Sequence, residues 1–411
     1  MAAVAVAAAL AWSLPGGRPP VPRHRTPESA RVPVAPVDAR RNASRALAPA
    51  TVDAMGLADD AVGWAADGDG LYLTTDRGAV WRTITPPNLA DQDVSDRIGA
   101  LDAVGRDDLW LPLEDVPGLV PYSQSTDGSV RGEGIDRSTD GGQTWTFTAL
   151  PGCLQGCGAD LGVDFVDPEH GFATTGPSPS SSTLVYSTDD GGTTWVRLAG
   201  SLPGWSAQVT FTSVLDGWAV SGPAFGRDGR STSPGGVLFR TTDGGMSWSP
   251  ARGLPSGDRF GLPTFFGHDV GVVVSNPEGA PGRATSVFVT EDGGVAWRPR
   301  RLPDIPGLRD FEPRGLGSRF AAPGPEDWKI DTGSSVFTTT DAGRTWTQAT
   351  PRPRSAPGSV SSVVFSTPRD GLAVTLPPGC TGLTTVPDGR QCFPTLVVST
   401  DGGRHWSPVR P

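Results

Sequence analysis

Charge, histidine and cysteine are all scarce in this chain. Charged residues make up 19%, and 34 basic against 44 acidic residues leave a formal net charge of -10. Without a basic surplus, a general nucleic-acid binder or a binder of anionic membranes is excluded. The four histidines, His24, His170, His268 and His405, stand far apart in sequence, so they build neither a metal cluster nor a Ser-His-Asp triad. No glycine-rich phosphate loop follows a strand-like run. The stretch "ADGDGLY" from Ala66 lacks the ligand count and terminal glutamate of a calcium loop. No metal and no cofactor are therefore expected.

Long apolar runs are missing too. The opening "MAAVAVAAALAWSL" covers residues 1–14, short of the roughly 20 that a spanning helix needs. It resembles a secretory leader, although no Lys or Arg precedes it. Residues 15–45 are rich in Pro, Arg and Ala without periodicity, the composition of a tether. We expect a secreted or extracytoplasmic protein, with the N-terminus as a membrane tether if the leader is retained. The four cysteines agree with export. They form two close-spaced pairs, Cys153 with Cys157 and Cys380 with Cys392, whose gaps fit no common zinc spacing. Three connectivities exist, and local pairing is the expectation.

What the chain has in plenty is glycine and proline, 55 and 41 residues. With so little charge, this composition suits many short strands and turns rather than long helices. A length of 411 residues exceeds a usual single core, so either several domains or growth by repetition is needed. Repetition is visible. The string Ser/Thr-x-Asp-x-Gly-x-x-Trp occurs seven times, starting at Thr74, Ser138, Thr188, Thr241, Thr290, Thr339 and Ser399. Its aspartates are Asp76, Asp140, Asp190, Asp243, Asp292, Asp341 and Asp401, on average about 54 residues apart. Its tryptophans are Trp81, Trp145, Trp195, Trp248, Trp297, Trp346 and Trp406.

Such a string reads as a hairpin turn. Asp and Ser/Thr cap free N–H groups, Gly supplies a positive φ, and Trp opens the next strand with a large apolar surface. A residue repeated in every unit at a turn is architecture rather than catalysis. Ahead of each turn lies a second signal, such as "LDGWAVS" at Leu215 or "RDGLAVT" at Arg369, and upstream of that another β-rich run. Each unit is thus four strands, A to D, with the repeated turn joining C to D. Seven such units predict an all-β fold, a seven-bladed β-propeller over residues 46–411 whose blades 7 and 1 meet by side-chain packing without a swapped strand.

These turns are similar to those of the Asp-box, or BNR, repeat superfamily, which includes sialidases, sortilin-type receptors, certain endoglucanases and propellers like the photosystem II assembly and stability factors. The pairing of "DGWAV" with "TTDGGMSW" looks most like the last group. The resemblance implies the fold and leaves activity open.

In an up-and-down propeller the A–B and C–D turns share one face, and the B–C and D–A loops share the other, where length varies. On that variable face Glu114, Tyr122, Trp205, Arg300, Arg301, Arg309 and Arg314 are the candidate ligand-gripping residues, because aromatic and Arg side chains anchor interfaces. The primary expectation is a non-catalytic scaffold engaging a protein, a peptide or a glycan. The alternative is a glycoside hydrolase. The sialidase resemblance would imply a tyrosine nucleophile and a Phe/Tyr-Arg-Ile-Pro motif, but the nearest string here is "DRIGA" at Asp96, and only Tyr122 of the three tyrosines lies outside a C strand. A carboxylate-pair mechanism would fall to Asp102 and Asp164, each eight residues before the aromatic residue of strand B, Trp110 or Phe172. Thr210 and Thr264 hold the equivalent places in other blades, so a polar slot between blades is the competing reading.

Overall fold

The computed structural model describes residues 37–38, 52–57, 61–68, 70–89, 101–117, 131–153, 161–176, 182–204, 207–221, 224–225, 231–233, 236–277, 286–300, 302, 320–331, 336–348, 359–376 and 395–409. Seven antiparallel blades, each strand paired with the next in sequence, follow one another along the chain. Blade 2 comprises A Asp102–Val104, B Asp108–Pro117, C Arg131–Ser138 and D Thr144–Ala149. Blade 3 comprises A Gly162–Phe165, B Gly171–Thr175, C Thr183–Thr188 and D Val196–Leu202. Blade 4 comprises A Gln208–Phe211, B Gly217–Val220, C Leu238–Thr241 and D Ser249–Pro250. Blade 1 extends from Val52 to Thr83, blade 5 from Asp258 to Arg300, blade 6 from Phe320 to Gln348 and blade 7 from Ser359 to Pro408.

First strands touch between blades 2 and 3, 3 and 4, 6 and 7, and 7 and 1, so the A strands form the inner ring and blade 7 meets blade 1. Among the described residues no strand is exchanged at the closure. Leu372, Val374, Leu396 and Val409 of blade 7 instead pack with Val52, Ala65, Tyr72 and Trp81 of blade 1.

The repeated turn has one geometry in all seven blades. The opening Ser/Thr hydroxyl donates to Asp Oδ1 at 2.7–3.0 Å. That same hydroxyl oxygen accepts the N–H of the residue four positions on. Asp Oδ1 also accepts a backbone N–H four residues ahead of it, at 2.8–2.9 Å. Two short side chains thus satisfy the donors that the reversal exposes. The residue after Asp is left-handed, and it need not be glycine: Arg77 at φ 64° and Ala342 at φ 57° fill it in blades 1 and 6.

The N–H of this left-handed residue donates to a carbonyl of the A–B turn of its own blade at 2.8–3.0 Å in all seven cases, for example Gly191 to Glu169 and Ala342 to Glu326. Both turns therefore lie on one face, lashed together by backbone. In four blades its carbonyl points the other way, to the preceding blade. Arg82 Nη2 donates to Gly141 O (2.5 Å), Trp110 Nε1 to Gly191 O (2.9 Å), Arg300 Nε to Ala342 O (3.3 Å) and Lys329 Nζ to Gly402 O (3.2 Å). In these four turns one residue thus ties a blade to itself through its N–H and to its neighbour through its carbonyl.

Aromatic packing repeats beside these bonds. Trp110 of blade 2 stacks on Phe165 of blade 3 at 3.6 Å between ring centroids, and Phe172 of blade 3 stacks on Phe211 of blade 4 at 3.4 Å. Glycine is the first residue of strand B in blades 3, 4 and 7 and the second in blade 5 (Gly271, after Val270), and a Cβ there would lie 2.4–2.7 Å from the Phe across strand A.

Three features were not foreseen. Val37–Asp38 adds a fifth strand outside strand D of blade 2, pairing with Thr144 and Trp145. A small hairpin, Ala224–Phe225 with Ser231–Ser233, is inserted between strands B and C of blade 4. Strand A of blade 5 is divided into Asp258–Phe260 and Thr264–Phe266, both paired to Val270–Pro277; Pro263 between them has no N–H to donate.

Gly294 and Gly105 separate two costs of adding a methyl group. At Gly294, φ +78°, a Cβ would come 2.1 Å from Trp218, whereas at Gly105, φ +71°, nothing lies within 4 Å. Gly105→Ala should cost about 1–2 kcal/mol of left-handed strain, and Gly294→Ala about 1–3 kcal/mol more for the clash. Urea unfolding of the two variants checks that order.

Five turn aspartates, Asp140, Asp243, Asp292, Asp341 and Asp401, are held below the ordinary carboxylate range. Asp341 is held down to about 2 by the Thr345 hydroxyl, then the Thr345 N–H and the Thr339 hydroxyl. A depressed folded-state pKa adds stability that is present above the ordinary carboxylate range and is lost as pH falls through the folded value. Asp341→Asn should lower the melting temperature at pH 7 and flatten its fall between about pH 4 and 2 relative to the parent.

Candidate functional site

The two candidate acids sit where counting back from the strand-B aromatic residue placed them. Asp102 pairs across strands with Trp110, Asp164 with Phe172, Thr210 with Trp218 and Thr264 with Val272. All four lie on inner strands, Asp102, Asp164 and Thr210 half-buried and Thr264 exposed. The structure thus aligns them on the polar part of the inner ring.

Each carboxylate reaches into the next blade. Asp102 Oδ2 accepts the N–H of Phe165 at 2.6 Å, and its Oδ1 accepts that of Ala103 at 2.9 Å. Asp164 Oδ2 accepts the N–H of Phe211 at 2.7 Å. The ring that pairs with each acid across strands A and B stacks on the side chain of that same Phe. Acid and ring therefore grip one residue of the following blade, by its backbone and by its face.

Desolvation dominates the chemistry of these carboxyls. Burial pushes Asp102 up to about 6, opposed by its bonds from Phe165 and Ala103. Asp164 rises to about 7 through burial first and the charge of Asp102 second, opposed by the Phe211 N–H and the Thr210 hydroxyl. The two acids sense each other and titrate as a pair.

The gripping residues fare differently. Arg300 ends strand D of blade 5, half-buried, and its Nε is engaged with the turn carbonyl of Ala342, so it braces blade 6 rather than standing free on the variable face. The backbone of Glu114 belongs to strand B of blade 2, toward its end. Tyr122, Trp205, Arg301, Arg309 and Arg314 lie outside the described residues, as do Cys157, Cys380 and Cys392. Cys153 is disulfide-bonded. Tyr72 and Tyr186 lie in C strands and are buried. Among the described residues no group of three or more His, Cys, Asp or Glu is placed to hold a metal ion, and no helix is long and apolar enough to cross a membrane.

A cavity of about 390 Å³ opens between blades 5 and 6 among the repeated turns, lined in part by Val270, Val289, Glu291, Glu326, Asp327 and Arg344. Glu291 there already pairs with Arg298 at 3.5 Å.

Comparison with known proteins places the chain beside both binding and catalytic propellers. No family model matches it. It is 30% identical over 200 residues to a xyloglucanase of Paenibacillus sp, spanning 45% of this chain and 18% of that protein. It is 27% identical over 188 residues to the photosystem II assembly lipoprotein Ycf48 of Synechococcus sp. (strain CC9902), spanning 41% of this chain and 48% of that protein. The chain thus spans less than half the length of either curated relative. Among solved structures, YCF48 bound to D1 peptide superposes with a TM-score of 0.52 at 16% identity, covering 89% of this chain and 94% of that one. YCF48 from Cyanidioschyzon merolae gives 0.50 at 15%, covering 85% and 95%. These likenesses show a shared propeller fold.

The acid pair should be visible spectroscopically. Infrared difference spectra should lose protonated-carboxyl absorbance between about pH 5 and 8, a range where ordinary carboxylates are already ionised, and Asp102→Asn with Asp164→Asn should remove that signal.

Proposed function

We propose that this chain is an extracytoplasmic, non-catalytic binding propeller that takes up a protein or peptide segment on the face opposite its repeated turns. The asymmetry of the two faces carries the reading. From strand C to strand D the chain always makes the same short, self-capped turn. From strand B to strand C its length varies widely: residues 68–69 in blade 1, 118–130 in blade 2, 332–335 in blade 6 and 377–394 in blade 7, with an added hairpin in blade 4. A rigid ring that confines its variation to one face is built to present that face.

Ycf48 supports the choice of partner class, since a solved relative of this fold carries a peptide, and its lipoprotein nature in Synechococcus agrees with the leader-like N-terminus and the bonded Cys153. We assign the disulfides locally, Cys153 to Cys157 and Cys380 to Cys392, as braces of the variable face. Ligand contact falls to Glu114, Tyr122, Trp205, Arg301, Arg309 and Arg314.

The competing reading, a glycoside hydrolase acting through Asp102 and Asp164, draws on the xyloglucanase relative. It is the weaker one because both carboxylates are occupied with N–H groups of the following blade.

A photo-crosslinking residue placed at Tyr122 in the full chain should capture a partner protein, and the same residue at Val80, 66% exposed on the turn face, should not. Equal capture from both positions would sink the assignment of the face. Release of sugar from xyloglucan, abolished by Asp102→Asn, would establish the hydrolase instead.

A further inference from the structure

Strand A is the inner edge of every blade, and some of its N–H groups point away from strand B with no ladder partner. Those of Phe165 and Phe211 are taken by carboxylates of the preceding blade, at 2.6 and 2.7 Å. Asp102 and Asp164 are consecutive links of one chain, blade 2 to blade 3 to blade 4, and sit at matching register on adjoining strands. We propose that they form a proton-operated clamp, closed while the pair keeps at least one proton and loosened across blades 2 to 4 when both carboxyls ionise.

A protonated carboxyl still offers its carbonyl oxygen to a backbone N–H, so the neutral pair closes both links. Two carboxylates side by side in a poorly solvated rim repel each other, and little else there answers the charge. Strand B of blade 3 and strands A and B of blade 4 carry no ionisable residue. Strand B of blade 2 carries Asp108 at its first residue, 3.9 Å from Arg137, and Glu114 and Asp115 toward its other end. Arg106, Asp107, Asp167, Glu169, His170 and Asp216 all belong to the A–B turns. Thr210 is the neutral group that steadies ionised Asp164.

The sign follows. A carboxyl whose folded-state pKa is raised contributes stability that is full below the ordinary range and is lost as pH rises through the folded value, here about 6 for Asp102 and about 7 for Asp164. The turn aspartates that are held below the ordinary range, Asp140, Asp243, Asp292, Asp341 and Asp401, act in the opposite direction at lower pH, so the ring is tightest in mildly acidic solution.

Hydrogen exchange of the full chain, read by mass spectrometry and corrected for intrinsic rates, tests this. Peptides containing Phe165 and Phe211 should lose protection by about tenfold or more from pH 5.5 to 8, while peptides of strand C in blade 5 (Ser286–Thr290) hold theirs. Asp102→Asn and Asp164→Asn keep an acceptor without the charge and should abolish the loss. Thr210→Val leaves both acids in place and should shift the midpoint upward, which keeps the clamp testable if an Asn variant does not fold. Unchanged protection in the parent, or pH dependence surviving in the Asn variants, would overturn it.

Discussion

The left-handed residue of the repeated turn is what the ring depends on. Its N–H is bonded to the A–B turn of its own blade, and in four blades its carbonyl accepts a donor from the blade before. A left-handed residue is strained for any side chain. Here the strain is offset by the bond that its N–H makes in every blade and, in four, by a partner for its carbonyl as well. This explains why Arg77 and Ala342 are tolerated where glycine is usual: bonding, rather than glycine itself, fixes the conformation.

Much of this was legible before the fold was known, because the chemistry is local. A Ser/Thr, an Asp two residues on and a Gly two beyond that are the minimum set for the hydroxyl and carboxylate caps, so the string reports the turn wherever it occurs. The register of Asp102 and Asp164 was legible for a related reason: in blades 2 and 3 alike eight residues separate the acid from the first aromatic residue of strand B, and each acid lies opposite it. Blade closure without a swapped strand was legible as well, since the last unit carries its own strand D.

What stayed hidden is whatever depends on residues of unlike chemistry meeting across blades. The donors to the turn carbonyls are two arginines, a tryptophan and a lysine, drawn from strands B and D. No sequence pattern unites them. Arg300 shows the consequence: as one of a basic group it reads as a surface anchor, and only its contact with Ala342 reveals a brace. The split first strand of blade 5 did have a signal in Pro263, an obstacle to any continuous ladder.

The acid pair shows how one position can invite two readings. Paired carboxyls with raised pKa values are what a hydrolase needs, and also what results when an inner edge strand recruits acids to cap its neighbour's N–H groups. Bond partners support the second reading. A catalytic acid must offer a free oxygen to substrate, whereas Asp102 binds N–H groups through both oxygens and Asp164 is held by Phe211 and Thr210. Perturbed titration in this ring is thus a consequence of how its blades are joined. The same two acids join three blades in succession, each by a bond from its carboxylate to a backbone N–H of the next blade.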